Sequence, residues 1–291
     1  MRRRRFLAVA AGFAAFPALA ATPLRWRGRA LGAEARLDLV GPEALTRPAL
    51  DAALDALRRA ETLFSVYDPA STLSALNRDG RLAAAPAPFL DLLDQVDRLH
   101  HLTGGLFDPT VQPVWAALAR GALGDEWADV GWHHVRRHGA SVHLGPRQQV
   151  TLNGIAQGYA TDMVMTVLQA HGLTDAFVDM GEQAARGAPR RLGLVDPSHG
   201  ALGPLTLRDG AMATSSPAAT PLGEGGHILH PAGTDRPHWS SITVEAETAT
   251  LADGLSTAMC LCDLPAIRGL RNAPGVRRIV LVGHSGRIRS L

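Results

Sequence analysis

Two pairs of residues in this chain have types and spacing that could do chemistry. The stretch Thr151-Leu-Asn-Gly-Ile-Ala-Gln-Gly-Tyr-Ala-Thr-Asp162 carries Gly154 and Gly158 at the entry to an apolar periodic segment, Ala160, Met163, Val164, Val167 and Leu168. This pattern predicts a short β-prone run over 149–152, a tight turn at Asn153-Gly154 and then a helix. Without a Cβ the backbone can approach a ligand closely, and a helix start offers unpaired N–H groups to an anion. A phosphate-bearing cofactor and a purely structural turn both fit. The second pair is Asp253 and Thr257, at i,i+4 on one face of a helix expected over 248–264, where a carboxylate and a hydroxyl can reach one hard cation together. A capping-box-like pairing of Asp253 with Thr250 is the structural alternative.

Further candidates lie in loops. Tyr67, at the centre of the polar segment 64–77, can stack on a planar ring or simply pack. Asp108, in Leu106-Phe-Asp-Pro-Thr110, can accept hydrogen bonds from a ligand or cap a helix running from Pro109 through Ala119. His133, His134, His138 and His143 lack the spacing of a defined zinc site, and a polar hairpin is expected over 127–144. His227, read alone, is a structural histidine.

The elements that must position these residues alternate between two periods. Strands are expected from Leu24 to Val40, ending at the turn Gly41-Pro42, and again over 176–180, 191–195, 204–207, 211–216 and 240–246. The strand over 277–283 should close the sheet. Amphipathic helices are expected over 48–63, over 86–102 with a stop at Thr103-Gly104-Gly105, and over 161–171. The Pro- and Gly-rich stretch 217–226 reads as a mobile loop. The 291 residues suffice for one large domain or two intimate lobes.

The first twenty residues stand apart. Arg2–Arg5, the apolar run Phe6–Phe16 and Ala18-Leu19-Ala20 read as a secretory signal of twin-arginine form, so the mature chain over 21–291 is expected in the periplasm. The leader holds four of the 29 basic residues, which leaves 25 against 27 acidic ones and no basic excess for nucleic acid. The absence of lysine excludes Schiff-base chemistry and a P-loop. Cys260 and Cys262, two apart on an expected helix, point to different faces and read as buried thiols.

Five ordered segments, 64–77, 103–110, Asn153-Gly-Ile-Ala-Gln-Gly-Tyr-Ala160, His227-Ile-Leu-His-Pro231 and Thr248-Ala-Thr-Leu-Ala-Asp-Gly-Leu-Ser-Thr257, together resemble the FAD:protein FMN transferase, or ApbE-like, family. The resemblance runs from about Leu31 to Gly283. It implies an α+β fold, with a mixed, mostly antiparallel sheet flanked by helices and a cofactor cleft between the lobes. It also implies Mg²⁺-dependent transfer of FMN from FAD to a threonine of an acceptor flavoprotein, with release of AMP. By position, Tyr67 would pack against the flavin, Leu106, Phe107 and Asp108 would form the cofactor segment, and Ile228 would fall in a strand lining it. Gly154, Asp253 and Thr257 match the metal-holding positions, and His227 matches the base that activates the acceptor threonine.

Leu31, Thr151 and Gln157 stand at further cofactor-side positions with residue types that depart from the family's, as does His230. Gly181-Glu182-Gln183 replaces the family's Gly-Gly-Asp, and this variant resembles the NosX-like periplasmic branch, whose implied acceptor is a membrane flavoprotein of nitrous oxide reductase maturation. Two other activities would use the same residues: a flavin carrier that keeps the pocket without transfer, and an FAD pyrophosphatase that passes FMN to water.

Overall fold

The computed structural model describes residues 23–233 and 236–291; the expected leader lies outside them. The described residues open with a hairpin closed by a two-residue turn, β1 (Leu24–Ala30) and β2 (Ala33–Val40). Its turn holds Leu31 at φ 48° and Gly32 at φ 81°, the left-handed pair that such a tight connection needs. Helix α1 (Glu43–Phe64) starts at Glu43 and not at the expected Pro48, which lies inside it. A proline is commonest in the first helical turn, so it misplaced the start.

Ser71 caps α2 (Thr72–Asp79) by accepting from the Ser74 N–H, and Gly80 at φ 67° ends it. After β3 (Arg81–Leu82) come α3 (Ala87–Leu102) and, beyond a 3₁₀ turn at Pro109–Val111, α4 (Gln112–Arg120). The expected polar hairpin is β4 (Arg136–His138) with β5 (Ser141–His143), joined by β3 in a small sheet. Residues 149–152 form no strand. Instead the Asn77 side chain donates to the Val150 carbonyl at 2.8 Å and accepts its N–H at 2.7 Å, taking the place of a neighbouring strand.

Helix α5 (Ala156–Ala170) leads to β6 (Asp175–Asp179), β7 (Gln183–Arg186), β8 (Arg190–Asp196), β9 (Gly200–Leu207) and β10 (Gly210–Ser215). The stretch read as a mobile loop is built, with a 3₁₀ turn at Pro217–Ala219 and a hairpin of β11 (Pro221–Leu222) and β12 (Gly225–Gly226). Its glycine serves packing: a Cβ on Gly226 would sit 2.2 Å from the Pro217 carbonyl oxygen. After β13 (Ser241–Ala246) the helix expected over 248–264 ends at Met259, as α6 (Ala249–Met259), and a further helix not expected from the sequence, α7 (Leu264–Leu270), follows. Asp263 caps α7 and fixes the break. Strands β14 (Val276–Val282) and β15 (Ile288–Ser290) follow, so β15 and not β14 edges the sheet.

The main sheet runs β1-β2-β6-β7-β10-β13-β14-β15. Every described pairing in it is antiparallel, in line with the expected mostly antiparallel sheet. Helices flank it as expected. Alternate residues such as Leu37, Val178, Ala213, Val244 and Leu281 face α1, α5 and α6 and form one continuous core with them. On the opposite face, Phe177, Ala185 and Met212 are covered by Leu192 and Leu207 of the β8–β9 hairpin. Cys260 and Cys262 are buried free thiols, as read. Among the described residues no helix is long and apolar enough to cross a membrane.

Candidate functional site

The first turns of α5 and α6 cross, and each helix caps the other. The Gly158 N–H donates to Asp253 Oδ2 at 2.9 Å. In return Asp162 of α5 accepts the N–H groups of Ala249 and Thr250, both at 2.8 Å, and the Thr250 hydroxyl at 2.5 Å. Carboxylates at helix starts satisfy orphan donors and favour the positive end of the dipole. The capping-box alternative for Asp253 is therefore not realised, because Thr250 belongs to Asp162. Gly158 permits the crossing: a Cβ there would lie 2.4 Å from the Ala249 carbonyl oxygen and 2.8 Å from Asp253 Cβ. Its N–H, read as a donor for an external anion, is taken by the chain's own carboxylate.

Gly154 lies beneath the next turn of α6. A Cβ on it would come 3.1 Å from Thr257 Cγ2 and 3.5 Å from the Phe107 ring, and the Thr257 hydroxyl is 3.5 Å from the Gly154 carbonyl oxygen. Ser215, the last residue of β10, sits 3.2 Å from that hydroxyl and 2.7 Å from the Ser256 hydroxyl. The fold thus gathers a carbonyl, a hydroxyl and, one helical turn away, a carboxylate. These are hard oxygen donors, the set that suits Mg²⁺, and they come from elements locked by the helix crossing.

The electrostatics are those of a buried acidic site. Asp253 is 3% exposed, and burial pushes its carboxyl up to about 7 against the pull of the Gly158 N–H. Burial, then Asp253, then Asp179 push Glu182 well above the usual carboxylate range. Asp162 is raised by burial too, opposed by its bonds to Thr250 and Ala249.

The remaining predicted residues fall around this centre or apart from it. Asp108 takes the capping alternative: it accepts the Thr110 N–H at 2.9 Å, the Thr110 hydroxyl at 2.5 Å and the Trp132 N–H at 2.9 Å. Phe107 is buried against Gly154, while Leu106 packs on the core's edge. Thr151 donates its N–H to the Pro109 carbonyl and accepts the Asn153 N–H, tying the glycine turn to the Asp108 segment. Tyr67, 59% exposed, has its hydroxyl 3.5 Å from the Asn153 amide. Gln157 donates to the Met180 carbonyl at 3.2 Å.

His227 is held by Nδ1 at 3.1 Å from the Pro217 carbonyl oxygen. A carbonyl can only accept, so Nδ1 carries the hydrogen in that bond. Pro217 follows Ser215 by two residues, a reach of about 7 Å at most, so β10 tethers the histidine near Thr257. Ile228 is buried in the main core but lies in irregular chain, not in the expected strand, because the hydrogen-bonded pairing of β11 and β12 ends at Gly226. Leu31 stands in the β1–β2 turn with its N–H on Glu61 Oε1 at 3.0 Å, away from the glycine turn and the α5–α6 crossing in sequence and in its hydrogen bond. Ser215 and Asp162 were not singled out from the sequence, and Glu182 entered only through the Gly181-Glu182-Gln183 variant. The alternation Ala211, Ala213, Ser215 does place Ser215 on the helix face.

The sequence profile of the ApbE family matches residues 31–279. The chain is 32% identical over 121 residues to the FAD:protein FMN transferase of Chlamydia pneumoniae, a match covering 35% of this chain and 37% of that protein, little more than a third of the relative's length. It is 27% identical over 226 residues to the FAD:protein FMN transferase of Vibrio cholerae, covering 67% of each. The structure of the flavin transferase ApbE from Vibrio cholerae superposes with a TM-score of 0.80 at 21% identity, over 92% of this chain and 97% of that one, and shares the fold. With a family profile spanning most of its length, and with the antiparallel sheet and flanking helices of the solved structure, the chain belongs to the ApbE family.

Proposed function

We propose that this protein transfers FMN from FAD to a threonine hydroxyl of an acceptor flavoprotein, releasing AMP. The observation that carries the reading is the approach of the Thr257 hydroxyl to the Gly154 carbonyl at 3.5 Å, with Asp253 one helical turn away at the α5–α6 crossing. The names of the relatives agree with it. Asp253 has one oxygen on Gly158 and the other available to a cation, Gly154 presents its carbonyl without a Cβ in the way, and Thr257 adds a neutral oxygen. A bound Mg²⁺ would neutralise the charge that builds on the pyrophosphate as AMP departs.

The protein's own groups do the rest. Tyr67 offers an exposed ring for the flavin to stack on. His227, its Nδ1–H fixed on Pro217, presents Nε2 as the base. The acceptor Oγ bonds to the phosphorus on the flavin side, Nε2 takes the hydroxyl proton, and the P–O bond to the AMP phosphate breaks with its electron pair on AMP. A threonine hydroxyl is a poor nucleophile at its free pKa, so the imidazole is the activating group.

The leader and the Gly181-Glu182 variant support an exported enzyme acting on a periplasmic or membrane flavoprotein, with nitrous oxide reductase maturation as its setting. Chromatography of nucleotides after incubation with FAD, Mg²⁺ and an acceptor tests the reaction. AMP equal to protein-bound flavin is expected. AMP matched by free FMN would make the protein a pyrophosphatase, and retained FAD without AMP would make it a carrier.

A further inference from the structure

Glu182 follows the Met180–Gly181 turn between β6 and β7 and is 7% exposed. One side of its carboxylate is met by the backbone N–H of Thr214. The other oxygen, Oε2, is buried without any hydrogen-bond partner. Burying an unpartnered carboxylate oxygen costs several kcal/mol, so it calls for a partner that the described residues do not supply.

The surroundings identify where that partner sits. Gln157 bonds the Met180 carbonyl, and a Cβ on Gly181 would lie 3.3 Å from Gln157 Nε2, so the turn bearing Glu182 rests on the first turn of α5. The next residue of that helix, Gly158, holds Asp253. On the opposite side, Thr214 is followed by Ser215, whose hydroxyl touches Thr257. Glu182 is therefore bracketed by the neighbours of Asp253 and of Thr257. The charges that act on it are acidic, Asp253 and Asp179.

We propose that Glu182 supplies a second carboxylate to the divalent cation held by Gly154, Asp253 and Thr257. Once ionised, Asp253 and Glu182 would bring two negative charges to a dry site, and one hard divalent cation, displacing their protons, would neutralise both. A cation held by one carboxylate leans on substrate phosphates for the rest of its shell, whereas two carboxylates hold it before FAD arrives. The inference rests on the metal assignment made under the proposed function.

The test is cation binding by the FAD-free mature protein, read by the loss of the free Mn²⁺ paramagnetic resonance signal and by Mg²⁺ calorimetry. The parent should bind one ion per chain. Glu182→Gln should weaken Mn²⁺ binding at least tenfold while FAD affinity without metal stays unchanged, and Asp253→Asn should weaken Mn²⁺ binding as well. Unchanged Mn²⁺ affinity in Glu182→Gln beside a loss in Asp253→Asn would overturn the role of Glu182 and leave the metal site standing. Unchanged affinity in both would overturn the metal assignment and the inference with it. If Glu182→Gln does not fold, Glu182→Asp, which withdraws the oxygen by one methylene, carries the same comparison.

Discussion

Asp253 of α6 accepts the Gly158 N–H of α5 at 2.9 Å, across 95 residues of sequence. One hydrogen bond thereby fixes the helix crossing and leaves the carboxylate a single oxygen for another partner. Asp162 makes the reciprocal contact to Ala249 and Thr250, so the crossing is held at both ends.

Gly158→Ala should be strongly destabilising. Alanine normally favours a helix by about 1 kcal/mol over glycine, but the added Cβ would meet the Ala249 carbonyl oxygen at 2.4 Å. Overpacking of this kind costs about 3 kcal/mol. Urea denaturation should show a lowered midpoint, and an unchanged or raised midpoint would mean the crossing is looser than described.

Asp253→Asn should remove the stabilisation that Mg²⁺ gives without lowering the metal-free stability, because the asparagine relieves a buried charge. Melting curves with and without Mg²⁺ separate the two effects. A variant that still gains stability from Mg²⁺ would take Asp253 out of the site.

The pH dependence follows from the same carboxyl. Its folded value is raised to about 7 by burial, above the ordinary carboxylate value, so the folded state binds the proton more tightly than the unfolded state. That contribution is fully present below the ordinary value and is lost as pH rises through about 7. Subtracting the Asp253→Asn stability from that of the parent, both metal-free, should give a difference that falls with rising pH across this window. A flat difference would show that the carboxyl is not perturbed.

His227→Ala should slow transfer by about 10²- to 10⁴-fold, the usual contribution of a general base. FAD affinity should hold, because the proposed role of His227 is in activating the acceptor hydroxyl and not in holding FAD. Equilibrium titration with FAD checks this, and a large loss of affinity would make His227 a binding residue.

What was legible in the sequence was local. Asp253 and Thr257 share a face because i,i+4 spacing is a property of any helix, and the alternation of apolar residues gave most strands of the sheet. What was not legible depended on partners far along the chain. Asp162 meets Thr250 across 88 residues, and Ser215 meets Thr257 across 42. The run at 149–152 looked like a strand because its residues favour extension, yet its backbone pairs with the Asn77 side chain, 73 residues away, and with the Pro109 carbonyl. Gly158 was read as an approach for a ligand, but the group that approaches is the protein's own helix.

The central claim is tested most directly by the intact mass of an acceptor domain, a flavoprotein domain bearing a target threonine, co-expressed with this protein and supplied with FAD and Mg²⁺, beside a His227→Ala control. The account predicts a covalent FMN increment on the acceptor with the unaltered protein, and little or none with the variant. An acceptor of unchanged mass, while this protein retains bound FAD, would contradict transfer and leave a flavin carrier in its place.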